Sequence, residues 1–429
     1  VRALLTVVVL LLTAFGVGAA APARSARFAG SVRVPATGAD EFLLGDDFVA
    51  VNSGRDQRVY GYGLDGSLRW AAGLPIPRAS LVAITGGIVL LTTPMWPGQT
   101  AALDRRTGAP LWTVDGLVQA MLGDTVVVGS GPSGPDGDGA ELIALDARTG
   151  GERWRTTAGP TIPRRTMAVY DQDYLVVGRV SVERDGTGEV LDFRTGRRRP
   201  LHEVPDPPSA PDRVQVDTTD RFVLITRSQA AMSVGDTLII FPLAPPPNQS
   251  LSADIGYGPI IGYGPDSPAP RWALPGSGGS PAGGCGPWIC VVETDTTRVV
   301  DPATGAVLRT VGWPHVISGT AERLLGYDDA GAGDTTEIAV SDAGSGRILA
   351  TYRGWRLLNR RSADWVAMVR RRIGLTWQLA ALNLHSGVAY PLGTFENAGV
   401  RACRSTATHV ACGIRSGDVL VWRLRPVDA

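Results

Sequence analysis

Ala144-Leu145-Asp146-Ala147-Arg148-Thr149-Gly150, followed four residues later by Trp154, is the stretch that decides the architecture. It recurs as Leu103-Asp104-Arg105-Arg106-Thr107-Gly108 before Trp112, as Leu191-Asp192-Phe193-Arg194-Thr195-Gly196, and as Val300-Asp301-Pro302-Ala303-Thr304-Gly305. Weaker copies end at Gly66 (after Asp65, before Trp70), at Gly346 and at Gly387. The turn glycines are spaced 42 residues apart from Gly66 to Gly108 and from Gly108 to Gly150, 46 to Gly196, and 41 for each step from Gly305 through Gly346 to Gly387. The interval from Gly196 to Gly305 is 109 residues, which fits two repeats with about 25 inserted residues. Inside it, Tyr263-Gly264-Pro265-Asp266 before Arg271-Trp272 repeats Tyr62-Gly63-Leu64-Asp65 before Arg69-Trp70, a decayed copy. The Pro-rich stretch Pro245-Pro246-Pro247-Asn248 is the expected insertion, because proline and loop residues do not fill a strand interior.

Each unit reads as β-structure. In one of them Val118-Gln119-Ala120-Met121, Thr125-Val126-Val127-Val128, Leu142-Ile143-Ala144-Leu145 and Glu152-Arg153-Trp154-Arg155 are separated by turn residues. The runs are β-branched and too short for helices. The glycine supplies the positive φ that a tight reversal needs, and the aspartate bonds the backbone that follows it. The tryptophans Trp70, Trp112, Trp154 and Trp272 are expected to pack between neighbouring sheets. Four-stranded sheets recurring every ~40–45 residues define a β-propeller. The reading is therefore an all-β single propeller over residues 28–429, preceded by an apolar helix within 1–27. Seven turns and the decayed copy predict eight blades. The strand-like Phe28–Val34, joined to His409–Cys412 and Val419–Leu424, would close the ring and raise a mechanical count to nine; eight is the expectation, within a bracket of seven to nine.

The pattern Ala-Leu-Asp-x-x-Thr-Gly-x-x-x-Trp at 144–154 resembles the repeat of the quinoprotein-like (PQQ-type) propellers. That group holds both quinone-dependent alcohol dehydrogenases and a non-enzymatic propeller of the bacterial outer-membrane assembly machine. The resemblance implies the fold across nearly all of 28–429. For the dehydrogenases it implies a quinone over calcium, a catalytic aspartate and often two adjacent cysteines. This chain has no adjacent cysteine pair, and no Glu, Asn and Asp set falls on matching motifs. A propeller enzyme with a site in the central channel is the alternative function; no cofactor and no metal is expected.

Ala3–Ala23 carries no charge and is rich in Leu and Val, with Arg2 before it and Arg24 and Arg27 after it. Its length suits a bilayer-crossing helix, and the small residues Ala19-Ala20-Ala21 suit a signal-peptide cleavage site; both readings put the propeller outside the cytoplasmic membrane. The four cysteines, Cys285, Cys290, Cys403 and Cys412, fit disulfides in such a compartment. Each of the pairs 285–290 and 403–412 flanks a short turn, so these pairings are expected; zinc is the competing reading, and nine residues of separation in the second pair do not suit it.

Charge is balanced at 41 basic and 41 acidic residues, and every basic residue is arginine. No global field attracts nucleic acid, and the lysine-free, Gly- and Ala-rich composition fits a GC-rich bacterial genome. His202, His315, His385 and His409 are scattered and lack ligand spacing. Asp136-Gly137-Asp138-Gly139 has only the beginning of a calcium loop. The runs Arg164-Arg165, Arg197-Arg198-Arg199 and Arg370-Arg371-Arg372 are candidates for an anionic partner. The expected function is a non-catalytic, membrane-anchored binding or scaffold module, monomeric, engaging a protein or a cell-envelope ligand.

Overall fold

The computed structural model describes residues 31–424 except 35–38, 95–96, 131–140, 157–164, 171–175, 184, 205–213, 216–221, 224–228, 243–258, 276–279, 294–295, 313–314, 321, 329–336, 359–364, 373–375, 397–399 and 415–416. Residues 1–27, with their expected helix, lie outside the described residues, as do Asp136–Gly139 and Pro245–Asn248. Among the described residues no helix is long and apolar enough to cross a membrane.

The described residues form nine four-stranded antiparallel blades, one more than the repeat predicts. Blade 1 runs from Ala39–Leu44 to Leu68–Gly73, blade 2 from Ser80–Thr85 to Pro110–Asp115, and blade 3 from Leu117–Leu122 to Glu152–Thr156. Blade 4 spans Arg165–Tyr170 to Arg198–Leu201, blade 5 Gln229–Val234 to Pro270–Leu274, and blade 6 Ser280–Cys285 to Val307–Val311. Blade 7 spans His315–Gly319 to Ile348–Arg353 and blade 8 Arg356–Leu357 to Ala389–Glu396. Blade 9 takes Val400–Ser405, His409–Ile414 and Val419–Arg423 from the C-terminal end, and its outermost strand is Ser31–Val34. Val32 pairs with Val421 and Val34 with Val419, so the two ends of the described chain close the ring and satisfy an edge that would otherwise be open. The count rises to nine because blade 9, with no repeat turn at all, is a full blade.

The middle strands explain the apolar runs. Val126, Val127 and Val128 are all fully buried, since a blade is covered by a neighbour on both sides. The outermost strands alternate between exposed and half-buried, as in Pro110–Asp115. The clusters that join blades draw on consecutive sheets: Phe48 and Trp70 of blade 1 pack with Val89 and Leu91 of blade 2, and Trp365 and Leu379 of blade 8 pack with Cys403 and Trp422 of blade 9. Blades 4 and 5 are joined further. Their first strands pair in parallel through Val169 with Ala231 and Tyr170 with Met232, making one eight-stranded sheet.

Two faces follow from the strand directions. One carries the links between first and second and between third and fourth strands, among them every copy of the repeat turn. The other carries the remaining links. These are called the turn face and the loop face below.

Candidate functional site

The repeated residues build seams between blades. In the turn of blade 3, Asp146 Oδ1 accepts from the amides of Arg148 (3.1 Å) and Thr149 (2.9 Å) and from the Thr149 hydroxyl (3.0 Å). Asp104 does the same for Arg106 and Thr107. Asp301 accepts from the Ala303 amide and the Thr304 hydroxyl, Asp192 from the Arg194 amide, and Asp65 from Ser67. Gly108 and Gly150 stand at φ 73° and 68°, and a Cβ there would lie 2.5 Å from Trp70 and 2.7 Å from Trp112. Conformation and space both require glycine. Gly66, Gly196, Gly305, Gly346 and Gly387 share the positive φ.

Each staple tryptophan thus lies on the turn of the next blade. Trp70 Nε1 donates to Arg105 O (2.8 Å), Trp112 Nε1 to Ala147 O (2.9 Å) and Trp272 Nε1 to Pro302 O (2.8 Å), in each case the carbonyl one residue after the turn aspartate. Trp154 packs on Gly196 but its buried Nε1 has no partner among the described residues. Blade 4 has no tryptophan here. Arg199 reaches instead to Gly264 O and Ser267 O of blade 5. In blade 7, Tyr352 donates to Gly387 O and Arg323 to His385 O (3.0 Å). Arg309 takes the tryptophan position in blade 6 and stacks 5.1 Å over Trp288; its Nε and Nη1 are buried without a partner among the described residues. These substitutes carry no repeat signature, so sequence reasoning passes over them.

The turn carboxylates are tuned by the same bonds. Arg153, bonded to Asp146 and Asp124 at 2.7 and 2.6 Å, holds the Asp146 carboxyl far below the usual carboxylate range, with the Thr149 amide and hydroxyl adding to the effect. Ser345 lowers Asp342 in the same way, and Ser67 lowers Asp65. A carboxylate accepting several donors is stabilised in its charged form. Each of these groups is committed to its own turn.

The structure pairs Cys285 with Cys290 in blade 6 and Cys403 with Cys412 in blade 9, all four buried. Cys403 and Cys412 are direct cross-strand partners. The histidines stay apart: His202 follows blade 4, the His315 backbone opens blade 7, His385 lies in the blade 8 turn, and His409 opens the second strand of blade 9. His409 is half-buried; burial, then Arg423, lowers its pKa, and its Nδ1 lies 2.8 Å from the Thr408 hydroxyl. Among the described residues no group of three or more His, Cys, Asp or Glu could hold a metal ion.

A pocket of about 190 Å³ opens where blade 9 meets blades 1 and 2, lined by Glu41, Leu43, Leu81, Arg404, Ile414 and Asp418 among others. Its polar groups are engaged in holding the closure. Glu41 accepts from the Leu81 amide (2.8 Å), Arg404 donates to Cys403 O (3.1 Å), and the buried Asp418 pairs with Arg33 of the closing strand.

The arginine runs do not converge. Arg164 lies outside the described residues and Arg165 begins blade 4. Arg197–Arg199 lie at the turn-face end of blade 4, where Arg198 pairs with Glu189. Arg370–Arg372 end the second strand of blade 8 at the loop face. There Arg370 lies 4.8 Å over Trp355, while the exposed Arg356 pairs in register with Val369 and so lies on the other face of the sheet from Arg370.

The fold and its seams define the class: a β-propeller of repeat blades. Residues 97–242 match the family model described as "Outer membrane protein assembly factor BamB". No curated protein sequence matches it. Among solved structures it is similar to BamB from Moraxella catarrhalis, at 16% identity over 94% of this chain and 98% of that one, with a TM-score of 0.41. It is also similar to a europium-containing methanol dehydrogenase, at 13% identity over 93% of each chain, TM-score 0.42. A structure titled as the eukaryotic initiation factor matches at 9% identity over 88% of this chain and 94% of that one, with a TM-score of 0.52. At these identities the likenesses concern the fold alone.

Proposed function

We propose that this protein is a non-catalytic binding scaffold of the bacterial cell envelope, a monomeric propeller held on the outer side of the cytoplasmic membrane through residues 3–23, with a protein as its partner. The observation that carries the reading is the match of residues 97–242 to the assembly-factor family model, a description that speaks of building membrane proteins into place. Three further observations support it. Two buried disulfides suit an oxidising compartment. The recurring aspartates are spent on turn geometry, so the repeat supplies rigidity. Rigid blades with variable connections on one face are a common way to present binding loops.

The test is an affinity capture of the full chain from detergent-solubilised membranes after mild crosslinking, followed by mass spectrometry. The reading expects the chain in the membrane fraction and a defined membrane or envelope protein captured in stoichiometric amount. Recovery of the bait alone, or of the chain in the cytosolic fraction, counts against it.

A further inference from the structure

We infer that the turn-face rim of blades 6 and 7 dips into the surface of a lipid bilayer, so that the loop face points away from the membrane. This rests on the scaffold reading and deepens it, by adding a second contact with the membrane and fixing which face is left for the partner.

Six large apolar side chains are exposed among the described residues: Leu68, Leu111, Val307, Leu308, Ile348 and Leu349. Each falls two or three positions after the turn glycine of its blade, so all six stand at the beginning of a fourth strand, at the turn face. Four of them belong to blades 6 and 7, which pack together through Val311, Leu324 and Ala343. Leu308 lies at the bulge between the third and fourth strands of blade 6, and Leu349 at the bulge of blade 7. Blades 1, 3 and 5 put Arg69, Arg153 and Arg271 at the same bulge, and Arg153 engages Asp124 and Asp146 of the turn face. Leucine at this position is therefore a departure from a polar repeat. No charged residue occurs in 284–289 or 302–308 of blade 6, and the Asp301 carboxylate is bonded within its own turn. An uncharged aliphatic rim on an otherwise polar face marks a contact surface.

What meets this rim follows from where the chain enters the propeller. The third strand of blade 9 runs from Val419 at the loop face to Arg423 at the turn face. Ser31 pairs with Trp422 and Val34 with Val419, so Ser31 begins the closing strand at the turn face as well. The uncharged stretch 3–23 is long enough to cross a bilayer. Residues 24–30 join it to Ser31, and seven residues span at most about 25 Å. A bilayer that holds 3–23 therefore lies on the turn-face side. Exposed aliphatic side chains facing it are stabilised by entering the boundary between headgroups and acyl chains. A second copy of the chain is a poorer occupant, because four partly exposed side chains fall well short of the ~800 Å² per partner of a stable interface.

The experiment places the full chain in phosphatidylcholine vesicles at a low protein-to-lipid ratio, with a bimane label on one added cysteine. Ala303→Cys marks the turn face of blade 6 and Gly312→Cys its loop face; both positions are exposed, and a Cβ at Gly312 meets no atom within 4 Å. Quenching by spin-labelled lipid is expected to be about threefold stronger at 303 than at 312, and to persist as salt is raised, since the contact is apolar. Leu308→Gln/Leu349→Gln, which puts polar side chains where other blades carry arginine, should roughly halve that ratio at an unchanged melting temperature. Equal quenching at the two positions, stronger quenching at 312, or a ratio unmoved by the double variant would each overturn the inference. So would a blue-shifted label at 303 that lipid does not quench, the mark of a second copy or of residues 3–23 covering the rim. An alkaline wash separates the two levels. If it strips the chain from the vesicles, the anchor of the scaffold reading falls, and the quenching measured before the wash still decides this contact. If the chain resists the wash but is quenched equally at both positions, the contact falls and the anchor stands.

Discussion

The seam between blades 2 and 3 and the seam between blades 3 and 4 use the same parts at the same spacing, yet only one is completed. In the first, Trp112 donates to Ala147 O at 2.9 Å and Ala147 is buried beneath it. In the second, Phe193 takes the place of Ala147. Its ring is buried 6.4 Å from that of Trp154, and the indole Nε1 is left without a partner among the described residues. The two solutions exchange a hydrogen bond worth about 1 kcal/mol for an aromatic contact of about 0.5–1.5 kcal/mol. The residue one past the turn aspartate therefore decides how a blade holds its neighbour. Where the tryptophan itself is missing, Arg199 or Tyr352 finds a carbonyl of the next turn by another route.

The largest test of this contrast removes a staple altogether. Trp70 is buried and bonded, so Trp70→Ala is expected to cost about 3–5 kcal/mol in denaturant unfolding; a loss below about 1 kcal/mol would mean that the indole is not a structural element of the seam. A finer cut keeps the ring and deletes only the donor. Trp112→Phe should cost about 1 kcal/mol through the orphaned Ala147 carbonyl, whereas Trp154→Phe should be near neutral because no bond is lost there. Equal costs in the two variants would dissolve the distinction between the seams.

The smallest effect concerns pH. The folded-state pKa values of Asp146, Asp65 and Asp342 are lowered, so their contribution is fully present above the ordinary carboxylate value of about 3.9 and is lost as pH falls through the lower folded values. The melting temperature should fall between about pH 4 and pH 2. Asp146→Asn keeps an acceptor in the turn, as Asn383 does in blade 8, and loses the charge; its melting temperature should fall less over that range. An equal fall would place the acid sensitivity elsewhere.

The turn and its partner were legible in the sequence because both are local. Asp146, Thr149 and Gly150 lie within five residues, and Trp154 falls at a fixed offset. The cysteine pairs were legible for the same reason, since each brackets a single hairpin. The blade number was harder to read. Blade 9 is assembled from the two ends of the described chain and has no fourth-strand turn to announce it, while the blade 5 turn has lost its Thr-Gly. The neighbours of the arginine run were only half visible: Arg370–Arg372 stand out as a run, but the Trp355 ring under Arg370 lies in the connection that brings blade 7 into blade 8. Register across a sheet cannot be read from composition.

The central claim is that nine blades form one ring, closed by the pairing of Ser31–Val34 with Val419–Arg423. It is tested most directly by placing cysteines at the paired positions in Val32→Cys/Val421→Cys and mapping the disulfides of the oxidised, folded chain by mass spectrometry. The account predicts a near-complete intramolecular 32–421 bond alongside the native 285–290 and 403–412 bonds. Free thiols at 32 and 421 in a folded chain, or a bond formed only between molecules, would contradict it.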